Sequence, residues 1–497
     1  MLSTNIVDLL NLPPWLAITV LILDVLIRVI AICWLPYNRK PVVALGWLMA
    51  ILLIPLIGFV IFLFFGSNYL PKARRARQRT MNEMIRETLD DDMDEKHPVL
   101  GDHVKLTEPA RVAANLNYRL GALPLVGGNE FTLHKDNHEA MIMMAGEVDK
   151  AKDYVHFEFY ITAYDDSSQP LWESLIAAAE RGVQVRVLID HIGSRRYLRY
   201  RRLTRRLNES GIEWHLMLPL QPWRGKWQRP DLRNHRKILV VDGQIAFSGS
   251  QNAIDSSYNT RKNRRRGLRW KDLTFSVTGP VVEELNAVFI SDWYSETKEL
   301  VLAEIETHIP AVNNGQLAQV VPSGPGFETE NNLRLINYLI YNAEHRIVIC
   351  SPYFVPEETL LQALTTAALS NIKVTLIVNE KGDQFLPNMA QRSYYEQLLA
   401  AGVRIMQYPQ PTVLHSKYMI VDDAYSFIGS SNMDPRSFGL NMEVSTFIFD
   451  PDMVNELEDV SREYVAVCKE IEHDRWIDRP AQVKIVENIC RLWSSLL

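Results

Sequence analysis

The sequence predicts an α/β protein of two similar lobes, each a mixed sheet flanked by helices, preceded by two transmembrane helices. Three observations carry that expectation: two apolar segments near the N-terminus, a strand–helix–strand pattern that repeats, and a long polar motif that occurs twice. At 497 residues the chain is also too long for one ordinary core.

The first apolar segment, Trp15–Leu35, is interrupted only by Asp24 and Arg28, whose i,i+4 spacing lets them pair on one helical face. The second, Val42–Gly66, runs for 25 residues without Asp, Glu, Lys or Arg. About 20 apolar residues cross the hydrocarbon core, so this stretch is expected to span. Residues 1–14 contain no Lys or Arg, which argues against a cleaved signal peptide. Trp15, Trp34, Trp47 and Tyr69 are expected near the span ends, at headgroup level. Lys72, Arg74, Arg75, Arg77 and Arg79 follow the second segment, against Arg39 and Lys40 in the connection, and this bias places the large C-terminal part in the cytoplasm.

The organisation that follows is an anchor over residues 1–70, a basic then acidic linker over 71–124, and lobes over 125–310 and 311–497. The second lobe ends in a helix with Val483, Val486, Cys490, Trp493 and Leu497 on one face, expected to pack on the catalytic part. Lys+Arg 53 against Asp+Glu 59, a net charge of -6, gives no global basic field of the kind that binds nucleic acid. Cys33, Cys350, Cys468 and Cys490 form no CxxC pair, so neither a zinc site nor a disulfide framework is expected.

Residues Tyr154–Asp190 and Arg346–Asn379 share one plan, a β-rich run, a helical stretch and a second β-branched run. The aromatic pairs Phe159-Tyr160 and Tyr353-Phe354 fall at matching places. Each copy continues to a Gly-started strand, Gly211–Met217 and Gly402–Tyr408, and then to a His-x-Lys segment.

Those segments are HRKILVVDGQIAFSGSQN (His235–Asn252) and HSKYMIVDDAYSFIGSSN (His415–Asn432), which agree at His, Lys, Asp, Gly, Ser and Asn with identical spacing. A lone His-x-Lys is usually an ordinary strand; two copies with six matched positions are specific. His235, Lys237, Asp242, His415, Lys417 and Asp422 are the candidate catalytic positions. Residues two apart in a strand share a face, so each His and Lys project together. The Asp lies seven residues beyond the His, an odd offset, and Asp242-Gly243 is a turn signal. Parity therefore gives Asp242 and Asp422 a structural duty. The carboxylates that orient the imidazoles are then expected at Asp272 and Glu443, which occupy equivalent places just before alternating strands of the two halves.

The repeated HxKx4Dx6GSxN resembles the signature of the phospholipase D superfamily, from about Leu125 to the C-terminus. The two N-terminal segments, the length and the WLP…GFVIFLFFG stretch narrow the resemblance to its bacterial cardiolipin synthase branch. It implies phospholipase D-like lobes in pseudo-twofold arrangement, with both motifs meeting in one site. It further implies His235 as nucleophile, forming a phospho-histidine, and His415 as acid and base. Lys237, Lys417, Asn252 and Asn432 would hold the phosphate oxygens, with Ser250 and Ser430 as further donors. Neither metal nor other cofactor is implied, because the lysines neutralise the phosphate. The implied partners are phosphatidylglycerol and cardiolipin in a bacterial inner membrane, with no nucleic acid, and the implied reaction converts two phosphatidylglycerols to cardiolipin and glycerol. A hydrolase, a nuclease and a non-catalytic scaffold of the same superfamily are the alternatives.

Two basic blocks, Arg195–Arg206 and Arg261–Arg269, flank the first motif and are candidates for anionic headgroups or for plain surface charge. Trp214, Trp223, Trp227 and Trp270 lie among them, as interfacial or core residues.

Overall fold

The computed structural model describes residues 13–37, 39–66, 70–93, 106–121, 123–197, 199–221, 223, 228–301, 315–327 and 330–492. Tyr69, Trp227, Trp493, Leu497 and the end of the acidic run, Asp94-Glu95, lie outside them. The chain divides into two compact units, Met1–Leu70 and Pro71–Leu497.

Three helices make up the described part of the first unit: α1 (Pro14–Trp34), α2 (Pro41–Leu53) and α3 (Pro55–Phe65). Each begins with proline at its first turn, where the missing N–H costs nothing. In α1 the Arg28 Nε donates to Asp24 Oδ2 at 2.9 Å. This helix is long and apolar enough to cross a membrane, at about 31 Å. The expected second span is not a single helix. Pro55 cannot donate to the carbonyl of Ile51, Ile54 leaves the helical region at φ -135°, ψ 78°, and the run breaks into the two shorter helices α2 and α3. Trp47 is consequently not at a span end; its ring packs on Phe62 at 5.4 Å.

The second unit contains a 16-stranded mixed sheet among the described residues. Its first half carries β1 (Val126–His134), β2 (Tyr154–Phe159), β3 (Gln184–Asp190), β4 (Glu213–Met217), β5 (Lys237–Val241), β6 (Ile245–Gly249) and β7 (Thr274–Thr278). The second half carries β8 (Gln316–Ser323), β9 (Arg346–Cys350), β10 (Lys373–Asn379), β11 (Arg404–Tyr408), β12 (Tyr418–Val421), β13 (Tyr425–Gly429) and β14 (Asn441–Phe449). β1 and β8 pair antiparallel at the centre, Val126 opposite Ala318. Outward from them the order is β7-β6-β5-β2-β3-β4 on one side and β14-β13-β12-β9-β10-β11 on the other, the same sequence of equivalent strands.

The β-branched and aromatic runs explain the parallel strands. YVHFEF in β2 is buried throughout, because helices cover both faces of the sheet. Gln169–Glu180 is the crossover helix between β2 and β3, and Glu358–Leu369 its counterpart between β9 and β10. One core gathers Val155, Phe157, Trp172 and Phe247, the other Ile347, Ile349, Leu376 and Tyr395. The segment expected as a linker is helical over Lys72–Met93 and Glu108–Gly121, and Ala110, Ala113 and Ala114 of the latter enter the second core. The C-terminal helix Ala481–Arg491 turns Glu487 and Cys490 inward and leaves Val483 and Val486 exposed. Ion pairs of Glu487 with Arg392 and Arg479 set that rotation.

Candidate active site

Two short parallel pairings cross between the lobes and set the site. The strand Arg233–Asn234 runs beside the start of β14, and Thr412–Leu414 runs beside Arg269–Lys271. Each ends one residue before a motif histidine. The register continues through the next backbone bond: His235 N–H donates to Met442 O, and His415 N–H donates to Lys271 O, both at 2.8 Å. The residues after those two acceptors are Glu443 and Asp272. Each histidine is therefore seated beside the carboxylate of the opposite lobe.

The side chains complete the crossing. His235 Nδ1 lies 2.9 Å from Glu443 Oε2, and His415 Nδ1 lies 2.6 Å from Asp272 Oδ1. A carboxylate can only accept, so both Nδ1 atoms carry hydrogen and both Nε2 atoms keep a lone pair when the rings are neutral. Burial lowers the pKa of His235 to about 4, with Lys237 and Lys417 adding to the effect against Glu443. His415 is lowered for the same reasons, burial first and then Lys417. Burial opposes ionisation of Asp272, but His415, Lys417 and the Ser250 hydroxyl outweigh it and hold the carboxyl at about 2. Glu443 is likewise held low by His235, Lys237 and Ser430, against its burial.

Lys237 and Lys417 are buried and share one geometry. The Lys237 ammonium donates to His235 O, and the Lys417 ammonium to His415 O at 2.7 Å. An ammonium has three N–H donors, so each has two more to offer an oxyanion. Burial pulls Lys237 down to about 7 and Lys417 to about 8.

Counted with the motif as catalytic positions, Asp242 and Asp422 stand elsewhere. They occupy the far ends of β5 and β12, roughly 20 Å along the strand from the histidines. Asp242 accepts from the N–H groups of Lys152, Asp153 and Tyr154 at 2.8–2.9 Å, and Asp422 from those of Glu344, His345 and Arg346 at 2.7–3.0 Å. Both residues take positive φ, 50° and 53°, as the hairpin turn requires. They tie β5 and β12 to the starts of β2 and β9.

Ser250 and Ser430 also depart from expectation. Both are buried, and their hydroxyls donate to Asp272 Oδ1 at 2.8 Å and Glu443 Oε2 at 2.5 Å, so they steady the carboxylates instead of meeting a phosphate. The preceding glycines permit this. A Cβ on Gly249 would lie 2.4 Å from Leu273 O, and one on Gly429 2.4 Å from Val444 O, in each case the carbonyl that the serine also binds.

His235, His415, Asn252 and Asn432 line one cleft of about 710 Å³. Asn252 accepts from Ile161 N–H and donates to Tyr258 Oη. Asn441 also lines the cleft, and the side-chain oxygens of Asn432 and Asn441 are buried with no partner among the described residues. Tyr160, Arg196, Tyr353, Asp383, Asp434 and Arg436 share the lining; of these only Arg196, in the first basic block, was a binding candidate in the sequence. The two tyrosines carried a weaker signal, as matched members of the aromatic pairs; Tyr160 packs edge-on against His235 at 4.8 Å. Burial, with Glu443 adding to it, raises Asp434 to about 6. Of the two basic blocks, Arg196 and Lys262 reach the cleft. Trp270 is core, Trp214 is half-buried and Trp223 is exposed.

Comparison with known proteins identifies the family. The family model described as cardiolipin synthase, phospholipase D-like domain, matches residues 144–293 and 336–464. A cardiolipin synthase of Geobacillus kaustophilus is 33% identical over 464 residues, 93% of this chain and 90% of that one. Cardiolipin synthase A of Proteus mirabilis is 32% identical over 471 residues, 93% and 94% of the two chains. The fold is similar to a phosphatidylserine synthase of Haemophilus influenzae, at TM-score 0.57 and 18% identity, covering 79% of this chain and 100% of that one. Two matched motifs, the family match and identity above 30% along nearly the whole length place the chain in the bacterial cardiolipin synthase family of the phospholipase D superfamily.

Proposed function

We propose that the chain transfers a phosphatidyl group from one phosphatidylglycerol to another, releasing glycerol and forming cardiolipin, by way of a phospho-histidine. The observation that carries this reading is the pair of crossed His–carboxylate contacts opening on one cleft.

A phosphodiester is anionic and resists attack, so the reaction needs positive charge at phosphorus, a nucleophile and a proton for the departing alkoxide. Lys237 and Lys417 supply the charge. Neutral His235, its Nδ1–H held by Glu443, attacks phosphorus through Nε2. The P–O bond to the glycerol headgroup breaks, and His415 gives that oxygen a proton. The negative charge of the substrate phosphate favours the imidazolium His415 needs. In the second half a hydroxyl of another phosphatidylglycerol attacks phosphorus, its proton passes to His415, and the P–N bond breaks. Division into two displacements lets similar lipids occupy one site in turn. The acceptor retains its own phosphodiester, for which Arg196 and Arg436 are cations in the cleft lining.

Helix α1 anchors the protein in the bacterial inner membrane, and the basic residues from Lys72 to Arg79 favour a cytoplasmic catalytic unit. The test is incubation of purified protein with phosphatidylglycerol in detergent micelles. Cardiolipin and glycerol in equal amounts are expected; phosphatidic acid without cardiolipin would make the protein a hydrolase.

A further inference from the structure

The apolar stretch from Pro41 to Phe65 turns back on itself. Ile54 is the tip, and residues on either side of it meet. Ala50 and Gly58 are so close that a Cβ on Gly58 would lie 2.7 Å from Ala50 O, and Trp47 stacks edge-on with Phe62. At the open end Arg39 Nη1 donates to Gly66 O at 2.6 Å, and Arg39 lies over the Phe62 ring. In one continuous helix residues 39 and 66 would stand about 40 Å apart.

From this we infer that α2 and α3 form a re-entrant hairpin, inserted into a single leaflet of the bilayer and returning to the side it came from. Lipid is the partner because Val42–Gly66 holds no charged residue, and Val42, Leu45, Leu53, Ile54, Ile57 and Leu63 point outward and are exposed. The hairpin does not cross, because its arms of 13 and 11 residues extend only about 20 and 17 Å against a hydrocarbon core of about 30 Å. The bend itself suits an apolar setting: Ile54 N–H donates to Ala50 O, Gly58 N–H donates to Ile54 O, and Pro55 has no N–H to satisfy.

Helix α1 fixes the side. Its last turn lies beside the open end of the hairpin, with Trp34 edge-on to Phe62 at 5.7 Å and Leu35 buried in the same cluster. Once α1 crosses, the chain enters and leaves the hairpin on the far side of that single crossing. Arg39 and Lys40 then share a face with Lys72, Arg74, Arg75, Arg77 and Arg79. A two-span path would instead divide the basic residues between the two faces, against the positive-inside bias. The hairpin thus occupies the leaflet on the side of the basic residues Lys72–Arg79.

The experiment is cysteine accessibility in the full-length protein with Cys33, Cys350, Cys468 and Cys490 replaced by serine or alanine and transfer activity retained. Single cysteines are placed at Tyr37, at the tip (Ile54→Cys) and, to mark the catalytic face, at the exposed Arg475. A membrane-impermeant maleimide is applied to spheroplasts and to inverted vesicles. Tyr37→Cys is expected to label from the same face as Arg475→Cys, and Ile54→Cys from neither. Labelling of Tyr37→Cys from the opposite face overturns the inference, as does labelling of Ile54→Cys from that face. A biotin-acceptor peptide inserted after Tyr37, read by a ligase expressed in the cytoplasm, gives a second reading where the maleimide is blocked: modification on the face of Arg475 supports the hairpin, and modification only by ligase on the other face refutes it.

Discussion

The Nδ1 of His415, in the second lobe, lies 2.6 Å from Oδ1 of Asp272, in the first, and the reciprocal contact joins His235 to Glu443. Neither lobe can therefore hold its own histidine in working orientation. Replacing either carboxylate should damage the histidine of the other half. Asp272→Asn and Glu443→Gln keep the shape but lose the charge that stabilises an imidazolium, and each is expected to lower kcat by roughly 10²–10⁴-fold with little change in KM. Steady-state rates on phosphatidylglycerol decide it; a variant within threefold of wild type would show that its carboxylate is not the orienting group.

Roles of the two imidazoles separate with a donor whose leaving group needs no proton, such as a p-nitrophenyl phosphodiester lipid. His415→Ala should then still release nitrophenolate once per protein and stall as an acid-labile adduct at His235. His235→Ala should give no burst. Adduct on His415 in the second variant would exchange the assignments.

Much of this site was legible in the chain because duplication exposes it: six matched positions marked His, Lys and Asn, and strand parity alone turned Asp242 and Asp422 away from the histidine face. Equivalent placement also pointed to Asp272 and Glu443. Which histidine each serves was not legible, since it depends on the crossed backbone bonds from His235 to Met442 and from His415 to Lys271. Ser250 and Ser430 looked like phosphate donors because a hydroxyl near a motif names no partner; only the fold brings them onto the carboxylates. The second apolar segment shows the reverse case. Its hydropathy is uninterrupted, but hydropathy counts side chains, and the feature that decides its path is the missing N–H of Pro55.

Asp242 and Asp422 give a contrasting expectation. Each accepts three backbone N–H groups far from the cleft. Asp242→Ala or Asp422→Ala leaves those donors poorly satisfied and should cost about 1–3 kcal/mol of stability. Thermal unfolding should shift downward while kcat of the folded fraction stays within a few-fold. A loss of kcat comparable to that of His235→Ala, without a stability change, would return these residues to the chemistry.

The buried lysines set a pH limb. An oxyanion binds the protonated ammonium, and burial makes Lys237 and Lys417 lose their protons near pH 7 and 8. Affinity for tungstate, an oxyanion that does not titrate there, should be full below pH 7 and fall as pH rises through about 8. Lys237→Arg keeps its charge at these pH values and should flatten the lower part of the limb. An inhibition constant independent of pH from 6 to 9 in the wild type would contradict the role given to both lysines.

The last expectation concerns the choice of acceptor. Arg196 and Arg436 line the cleft; Arg436 is braced by donation to Asp231 O at 2.6 Å, and Arg196 lies over Tyr197. An acceptor phosphatidylglycerol brings a second phosphodiester into this cleft, whereas free glycerol brings none. The double variant Arg196→Ala, Arg436→Ala should therefore lose cardiolipin formation by about 10–100-fold, the scale of one or two charge-assisted hydrogen bonds. Exchange of labelled glycerol into phosphatidylglycerol uses the same histidines and lysines but no second phosphate, so its rate should stay within about twofold by the same reasoning. Equal loss of both reactions would mean that the arginines hold the donor, and loss of neither would place the acceptor phosphate elsewhere.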